Sequence, residues 1–405
     1  MSREVSSMKP KYYAMLFSAV ACTLIISNTA DHADTVDEAN SYGNISEYSI
    51  QDAINLQSFL LAAPTDEDIK GKPYDLDNDG VWSVFDLVLM KQQIFGSSSH
   101  NNIYVSNSEE LKNALLNASA GDTILLRSGI YESGDYGKKS AIFYSDSEGT
   151  EAAPISIKSA DPDAPAVLKG TDTSKGLVLY ITGDYWNIEN IICCNAQKGI
   201  VLDNSDHSVI KNVEVYDTGQ EGIHLRDGSS YCEIIGANVH DAGLVSEYGE
   251  AIYIGSAKST SGYAYDCDHN IVRDCILGPN TVAESVDIKE YTTGNIIENC
   301  IMYGGGMTAT DSFVDIKGNE TIVRNNVCYT QGNTNITDGF QLHCQVEGWG
   351  VNNIIYGNTV YFSGENEYVV RSWNGTSCTV YDNIRDPENS NYMYRAYNGS
   401  TITEN

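Results

Sequence analysis

The chain has 405 residues, which is more than one compact core usually holds and indicates two or three domains. Its formal net charge of −31 at pH 7 argues against nucleic acid as a partner, because phosphates require a basic protein surface. The composition, with 35 Gly, 27 Tyr and only 8 Pro, favours β-rich architecture with tight turns over a helical bundle.

The first element in chain order is an apolar run from Tyr12 to Ile26, which follows Lys9 and Lys11 and precedes small polar residues. A basic start, a short apolar core and a small-residue exit are typical of a secretory signal peptide. The run is short for a membrane span. We therefore expect residues 1–33 to be a signal peptide and the rest of the chain to be secreted, extracellular and free of membrane segments.

Residues 41–97 form a small acidic unit whose centre has the spacing of a calcium-binding loop. Oxygen-bearing side chains occupy the ligand positions of such a loop, and Gly80 stands where the chain must turn sharply. The predicted calcium ligands are Asp75, Asp77, Asp79, Ser83 and Asp86.

In these residues the unit resembles a dockerin, the module that attaches cellulosomal enzymes to a cohesin-bearing scaffold protein. The resemblance implies a second, earlier loop, but Ser41, Gly43 and Ile45 occupy ligand positions there, so that loop is expected not to hold calcium. The alternative is a calcium-stabilised helical module without a partner. Residues 98–101 are expected to form a linker.

The order of elements after the linker is strand, helix, strand. Asn102–Val105 is predicted as a strand, Ser108–Leu115 as a capped amphipathic helix, and Gly121–Tyr131 as a strand with a turn. This order resembles the N-terminal cap of right-handed parallel β-helices, in which a helix covers the open end of the first coil.

A segment centred on Asp287 nearly repeats 28 positions later, where it is centred on Asp315. Alternate side chains of a strand point to opposite faces, so Lys289 shares the face of Asp287, and Lys317 shares that of Asp315. A repeat of this length predicts a solenoid whose copies stack. The four charged side chains are then expected to meet on one exposed sheet face.

Similar segments recur from about residue 175 and align in three columns. The middle column contains Val201, His224, Tyr253, Asp287, Asp315, Gln341 and Val369. Two positions later come Asp203, Arg226, Gly255, Lys289, Lys317, His343 and Arg371, and three positions earlier come Lys198, Glu221, Glu250, Glu284, Ser312, Asp338 and Asn366.

The predicted fold class is therefore mainly β. Residues 102–405 are expected to form a right-handed parallel β-helix, a pectate lyase-like solenoid, after the small α-helical calcium-loop domain. Cys275 aligns with Cys300 and Asn299 with Asn325, as in the interior Cys and Asn stacks of such solenoids. Whether Cys275 and Cys300 form a disulfide stays open.

Mixed charges beside aromatic rings favour a functional site on the predicted face. Cleavage of a uronate polysaccharide by β-elimination needs a base, a proton donor and a positive charge on the C5 carboxylate. Lys289 is the first candidate for the base and Lys317 the second. Carboxylate oxygens suit Ca²⁺, which makes Glu250 and Glu284 candidate ligands, with Glu221 as a further one.

The remaining candidates bind substrate or supply the proton. Arg226, His343 and Arg371 could bind carboxylates or donate the proton. The predicted substrate-binding side chains also include Asp287, Asp315, His224 and Tyr253.

The spacing of Glu284 and Lys289 is similar to the pair found in β-helical polysaccharide lyases of the chondroitinase B and alginate lyase type. That resemblance implies that Glu284 is a calcium ligand and Lys289 the base. In that family an Arg on the next coil acts as the acid, whereas this chain has Lys317. The implied partner is an acidic polysaccharide, and a monomer is expected.

Three other interpretations remain open. A glycoside hydrolase or epimerase could use Asp287 and Asp315 as its two carboxylates. A non-catalytic carbohydrate-binding β-helix could stack sugars on aromatic rings such as Tyr253. Finally, the Asp and Lys side chains could pair only as a solvated structural ladder.

Overall fold

The computed structural model describes residues 48–61, 74–76, 81–94, 101–245 and 247–405, all within the compact unit Tyr48–Asn405. The predicted signal peptide, residues 98–100 of the predicted linker and the ligands Asp77 and Asp79 lie outside the described residues. The described part is mainly β, as predicted.

The helices are few and short. The α-helices are Ile50–Leu60, Val84–Ile94 and Ser108–Asn117, and the 3-10 turns are Lys138–Ser140 and Ser390–Tyr392. The helix predicted from Ser108 is present, and the side chain of Asn107 caps it by accepting a 3.0 Å hydrogen bond from the Glu110 amide. Its buried face, made by Leu111, Ala114 and Leu115, covers one end of the β core.

The strands form three sheets, A, B and C, which the chain visits in turn on every coil. The strands of sheet A are Asn102–Val105, Thr123–Leu126, Ile155–Ser159, Trp186–Glu189, Val209–Lys211, Glu233–Ile235, Ile271–Arg273, Ile296–Glu298, Ile322–Arg324, Asn353–Tyr356, Ser377–Tyr381 and Thr401–Glu404. Those of sheet B are Ile130–Glu132, Ala166–Lys169, Ile191–Ala196, Glu214–Thr218, Asn238–Val239, Ile276–Leu277, Ile301–Tyr303, Val327–Tyr329, Thr359–Tyr361 and Ile384–Asp386. Those of sheet C are Ala141–Ser145, Leu177–Ile181, Lys198–Asp203, Ile223–Arg226, Ile252–Ile254, Val286–Ile288, Ser312–Ile316, Asp338–His343, Tyr368–Trp373 and Tyr394–Ala396.

Each strand pairs in parallel with the strand one coil away, so equivalent side chains stack in columns. In sheet A one interior column consists almost entirely of buried β-branched residues, which suit a pleated surface. Its members are Ile124, Ile157, Ile188, Ile210, Ile234, Val272, Ile297, Val323, Ile355 and Val380. The predicted solenoid is therefore confirmed, and its parallel pairing already begins at Asn102 and Thr123, before residue 175, from which the sequence columns could be aligned.

The predicted interior stacks are partly correct. Cys275 and Cys300 are buried in neighbouring coils, and both are free thiols. Asn299 and Asn325, however, are exposed turn residues with positive φ. Other asparagines form two interior stacks, in which each side-chain oxygen accepts an amide hydrogen bond from the preceding coil. Asn270 and Asn295 stack just before strands of sheet A, and Asn326, Asn358 and Asn383 continue the column of Cys275 and Cys300 just before strands of sheet B.

The first two helices share a small apolar core of their own. Leu56 and Met90 are buried in it together with Tyr74. The carboxylate of Asp86 accepts hydrogen bonds from the amides of Leu76 (2.6 Å) and Ser83 (2.7 Å). The dockerin resemblance and its calcium loop stay a prediction. No helix in the described ranges has the length and apolarity to span a membrane.

Candidate active site on sheet C

The outward face of sheet C contains the predicted middle column. Backbone pairing aligns Val201 with His224, and then Tyr253, Asp287, Asp315 and Gln341 on successive coils. The register predicted from the repeat is therefore correct from Val201 to Gln341.

The strand Tyr368–Trp373, which carries the last members of the predicted columns, departs from the predicted register. Gln341 pairs with Arg371, not with Val369, and His343 pairs with Trp373. Val370 takes the interior position beside Phe340, and this shifts the whole strand by two residues. Arg371 therefore belongs to the middle column.

Five side chains of alternating charge form what we call the ion chain, which runs across three coils. Lys289 Nζ lies 2.5 Å from Asp287, and Lys317 Nζ lies 2.6 Å from Asp287 and 2.7 Å from Asp315. Asp315 in turn lies 2.9 Å from His343 Nδ1. The expectation of an exposed face is wrong, because Asp287, Asp315 and Lys317 are only 2%, 7% and 6% exposed.

Burial and pairing shift the pKa values of Lys317 and Asp315 within the ion chain. Burial disfavours the charged form of Lys317, but Asp287 and Asp315 outweigh burial and raise its pKa well above the ordinary value. Burial also raises the pKa of Asp315, yet Lys317 and His343 outweigh it, and the net pKa lies well below the ordinary value. Lys317 is thus a permanent cation that does not fit the predicted role of second base, and Asp315 is a poor general acid for hydrolysis.

Three carboxylates, here called the carboxylate cluster, meet next to this chain. One oxygen from each of Glu250, Glu284 and Asp287 lies within 4.8 Å of the other two. Thr310 Oγ1 donates a 3.0 Å hydrogen bond to Glu284, whereas the buried Oε2 of Glu250 has no partner in the described part of the chain. The cluster includes Asp287, a member that the sequence analysis had placed with substrate binding.

The cluster has strongly perturbed acidity. Burial, followed by the charges of Asp287 and Glu221, raises the pKa of Glu250 to about 8. Burial, followed by the charges of Asp287 and Asp315, raises the pKa of Glu284 to about 7. Repulsion of this kind favours a proton or a bound cation between the carboxylates.

Glu221 and Arg226 are each paired with a neighbouring charge. Glu221 lies outside the carboxylate cluster, and its carboxylate pairs with Lys198 at 2.5 Å. Arg226 pairs with the buried Asp203 through Nε at 2.6 Å and Nη2 at 3.0 Å. Burial lowers the pKa of Arg226, but Asp203 outweighs burial and raises it above its ordinary value, which favours carboxylate binding over proton donation for this side chain.

Tyr253 lies between the cations and a pocket on the same face. Lys289 Nζ is 4.8 Å from the centroid of its ring, and the His224 ring is 4.4 Å away. Burial, together with the charges of Asp287 and Glu250, raises the pKa of Tyr253 well above the ordinary value. The phenol therefore keeps its proton over the whole range in which proteins are stable.

The pocket beside Tyr253 has a volume of about 310 Å³. Its lining includes Lys198, His224 and Arg226, and the segment 256–260 contributes one wall. Burial, followed by the charges of Lys198 and Arg226, lowers the pKa of His224 well below the ordinary value, so this imidazole is neutral. Lys198 and Arg226 give the pocket a basic lining, which fits a carboxylate-bearing ligand.

The candidate residues on the later coils form a separate group. Arg371 Nε lies 2.8 Å from the buried Asp338, and Gln341 donates a hydrogen bond to the same carboxylate. Burial raises the pKa of Asp338 to about 7, although Arg371 opposes this shift. The structure thus brings Lys289, Tyr253 and the carboxylate cluster together and places Arg371 further along the sheet.

The sequence analysis did not predict how deeply the side chains of the site are buried. Asp287 and Asp315 were found through the repeat, but alternation along a strand gives no measure of how deeply a side chain is covered. Tyr253 stands directly beside Asp287 in the middle column, and this position was the sequence signal that it lies close to Lys289.

Comparisons with known proteins agree with this architecture. The family model described as Pel9A-like, right handed beta helix region, matches residues 94–368. An alginate lyase from Paenibacillus sp. str. FPU-7 has a TM-score of 0.70 and 38% sequence identity, over 75% of this chain and 99% of that one. Pectate lyase Pel9A has a TM-score of 0.51 at 16% identity, over 76% of this chain and 79% of that one, which supports the fold alone.

A curated relative gives a shorter match. Pectate lyase L of Dickeya chrysanthemi is 27% identical over 156 residues, which are 36% of this chain and 35% of the relative. The chain thus spans about a third of the length of that relative. The family model covers more than half of the chain, and the alginate lyase is matched over nearly its whole length. The chain therefore belongs to the Pel9A-like right-handed β-helix family and, by enzyme class, to the polysaccharide lyases.

Proposed function

We propose that this protein cleaves a uronate polysaccharide by calcium-assisted β-elimination at the sheet C site. The observation that carries the proposal is the position of Lys289, beside Tyr253 and next to the carboxylate cluster. A base, a protonated phenol and a group of cation ligands are the three components that the reaction needs.

Lys289 is the proposed base. To accept the C5 proton it must first give up its own proton, although it contacts the carboxylate of Asp287. Lys317, a fixed cation 2.6 Å from Asp287, already balances that carboxylate. Lys289 is therefore not needed as the counter-ion of Asp287 and is placed to act as the base toward the substrate.

Tyr253 is the proposed acid. Its hydroxyl is protonated at working pH and has no hydrogen-bond partner in the described part of the chain. In the elimination, the C5–H bond breaks toward Lys289 and a double bond forms between C4 and C5. The C4–O bond breaks as the leaving oxygen takes the phenol proton, and solvent then restores both groups.

Glu250, Glu284 and Asp287 are the proposed calcium ligands. Their oxygens lie within 4.8 Å of one another, which fits a cation with ligand distances of about 2.3–2.6 Å. The unpartnered buried Oε2 of Glu250 and the raised pKa values of two members also favour a bound cation. Bound Ca²⁺ would neutralise the C5 carboxylate of the substrate and acidify its C5 proton.

Alginate is the substrate that we favour. The alginate lyase is 38% identical and is matched over 99% of its length, whereas the pectate lyase of Dickeya is 27% identical over about a third of its length. Both polymers carry the uronate carboxylate that the proposed chemistry requires.

The decisive measurement is the ultraviolet absorbance of the unsaturated uronate that β-elimination produces, tested on alginate, pectate and glucuronan. We expect a rise with alginate that chelator reduces. We expect Lys289→Ala to lower kcat by about 10²–10⁴, the effect typical of losing a general base. A flat trace on every polymer would contradict the proposal.

Two variants serve as matched controls for this measurement. Lys211→Ala removes an exposed lysine of sheet A and should leave the rate unchanged. Tyr253→Phe keeps the ring and removes only the hydroxyl, so a similar loss of kcat with little change in KM would support the acid role. An unchanged rate in Tyr253→Phe would assign the proton to another donor.

The sequence pattern supports two further parts of the proposal. We propose that residues 1–33 direct secretion and that residues 41–97 attach the enzyme to a cohesin-bearing scaffold protein. Calcium-dependent capture of the full chain on immobilised cohesin, lost in Asp86→Ala, would support this attachment. Equal retention with calcium and with chelator would contradict it.

A further inference from the structure

The later coils of sheet C carry a second polar surface that the proposed chemistry does not use. Arg371 and Arg395 are backbone partners in adjacent strands, one and two coils beyond Gln341. The same face continues into Trp373 and Tyr397, two positions further along each strand. We call these four residues the arginine–aromatic surface.

The two arginines place like charges side by side. Neighbouring like charges on one sheet face destabilise the sheet unless an anion binds between them. Arg371 uses Nε to pair with Asp338, and its terminal nitrogens make no hydrogen bond within the described ranges. Arg395 is exposed and makes no ion pair with any described residue. In a protein with a net charge of −31, such a cation pair is a specific feature.

The aromatic rings extend in a ladder from the ion chain. His343, which contacts Asp315, lies 6.4 Å from the Trp373 ring, and that ring lies 4.3 Å from Tyr397 with an interplanar angle of 12°. Arg371 lies 5.8 Å from the Trp373 ring, and Arg395 lies 5.2 Å from the Tyr397 ring. The buried Nε1 of Trp373 has no acceptor in the part of the chain that the structure describes.

The surface is continuous with the candidate active site. Arg371 lies three strands from Asp287 in the same column, a separation of about 14 Å at about 4.8 Å per strand. A polymer that lies along the sheet C face would therefore present a second sugar unit to the arginines while its scissile bond is at Lys289.

We propose that the arginine–aromatic surface is a subsite for a carboxylate-bearing sugar of the same polysaccharide chain that is cut at Lys289. This inference rests on the proposed function. Guanidinium groups match carboxylates in geometry, and planar rings with polar edges suit the faces of sugar rings. The surface thus sets a preference for long chains over short ones.

The test measures binding of uronate oligosaccharides of increasing length to the full chain carrying Lys289→Ala, by titration calorimetry in calcium buffer. We expect affinity to rise at the length that first reaches Arg371. We expect Arg395→Ala to remove this rise, with an affinity loss of about tenfold for long oligosaccharides and none for the shortest. An oligosaccharide of the same length whose carboxylates have been reduced should bind with equal affinity whether or not Arg395→Ala is present.

Arg127→Ala is the matched control. Arg127 is also exposed and also lies 5.2 Å from a tyrosine ring, that of Tyr104, but on sheet A. Unchanged long-chain affinity in Arg395→Ala, or an equal loss for short and long oligosaccharides, would overturn the subsite. Length-dependent binding that needs Arg395, without any unsaturated product in the wild type, would instead keep the subsite and reject the elimination chemistry.

Discussion

Two groups of buried charge on sheet C differ in how completely they are balanced. Around Asp203, Arg226 contributes two hydrogen bonds, Tyr180 donates one at 2.8 Å, and Lys139 lies at 3.2 Å. We call these four residues the Asp203 cluster. The carboxylate cluster, one to two coils away from Arg226, brings three acids together with an orphaned oxygen on Glu250.

The difference separates a structural role from a functional one. A buried charge that is fully paired and hydrogen-bonded contributes to a unique local structure. Carboxylates held together against their own repulsion need a ligand, and perturbed groups of this kind concentrate at functional sites. We therefore assign the Asp203 cluster a structural role in the pocket wall, and the carboxylate cluster remains the proposed cation site.

The largest expected effect comes from removing the cation that balances the ion chain. Lys317→Met leaves Asp287 and Asp315 buried without their shared partner, so we expect the free energy of unfolding to fall by about 3–5 kcal/mol. Arg226→Met should have a smaller effect, because Asp203 keeps Tyr180 and Lys139. Urea unfolding compares the two variants, and a larger loss in Arg226→Met would reverse the comparison.

The second effect is a pH dependence that the carboxylate cluster should show and the Asp203 cluster should not, because the pKa of Asp203 is lowered rather than raised. The folded protein holds protons on Glu250 and Glu284 up to about pH 8 and about pH 7, whereas the unfolded chain releases them near the ordinary glutamate pKa. The folded state therefore binds more protons, and its stability in chelator should fall as pH rises from about 5 to 8.

Calcium should remove this fall, because it replaces the protons. Melting temperatures measured across this pH range, with calcium and with chelator, should diverge as the pH rises. Glu250→Gln should flatten the chelator curve by removing one of the acids. Parallel curves in the wild type would mean that no cation binds at the cluster.

The smallest expected effect concerns the balanced cluster. Tyr180→Phe removes one of several donors to Asp203 and should lower the free energy of unfolding by about 1 kcal/mol, without a change in reaction rate. Tyr303→Phe, on sheet B, provides the reference for losing a hydroxyl from a stacked ring. A large loss of rate in Tyr180→Phe would place the Asp203 cluster in the chemistry after all.

The solenoid and most of its register could be predicted because strand alternation and a 28-residue repeat determine which side chains share a face. The register was lost at the strand Tyr368–Trp373, because a shift of two residues keeps every side chain on the same face and strand alternation alone does not exclude it.

The composition of the candidate site was harder to predict. Glu221, Glu250 and Glu284 occupy equivalent places in sequence, but Lys198 is within reach of Glu221 only. Turn geometry and neighbouring side chains, rather than spacing, decide which acids meet. The burial of Lys317 likewise depends on the side chains that cover the outer face of the sheet, and the residue pattern of a single strand does not predict these.

The helix Ser108–Asn117 has a consequence for how such a chain reaches its native state without associating. Leu111, Ala114 and Leu115 close one end of the apolar column, where an open coil would offer unpaired strand edges to another molecule. Because each later strand pairs with the coil before it, the covered end also provides a first surface on which coils can be added in order. A chain that is synthesised from its N-terminus would present that starting surface before the remaining strands arrive.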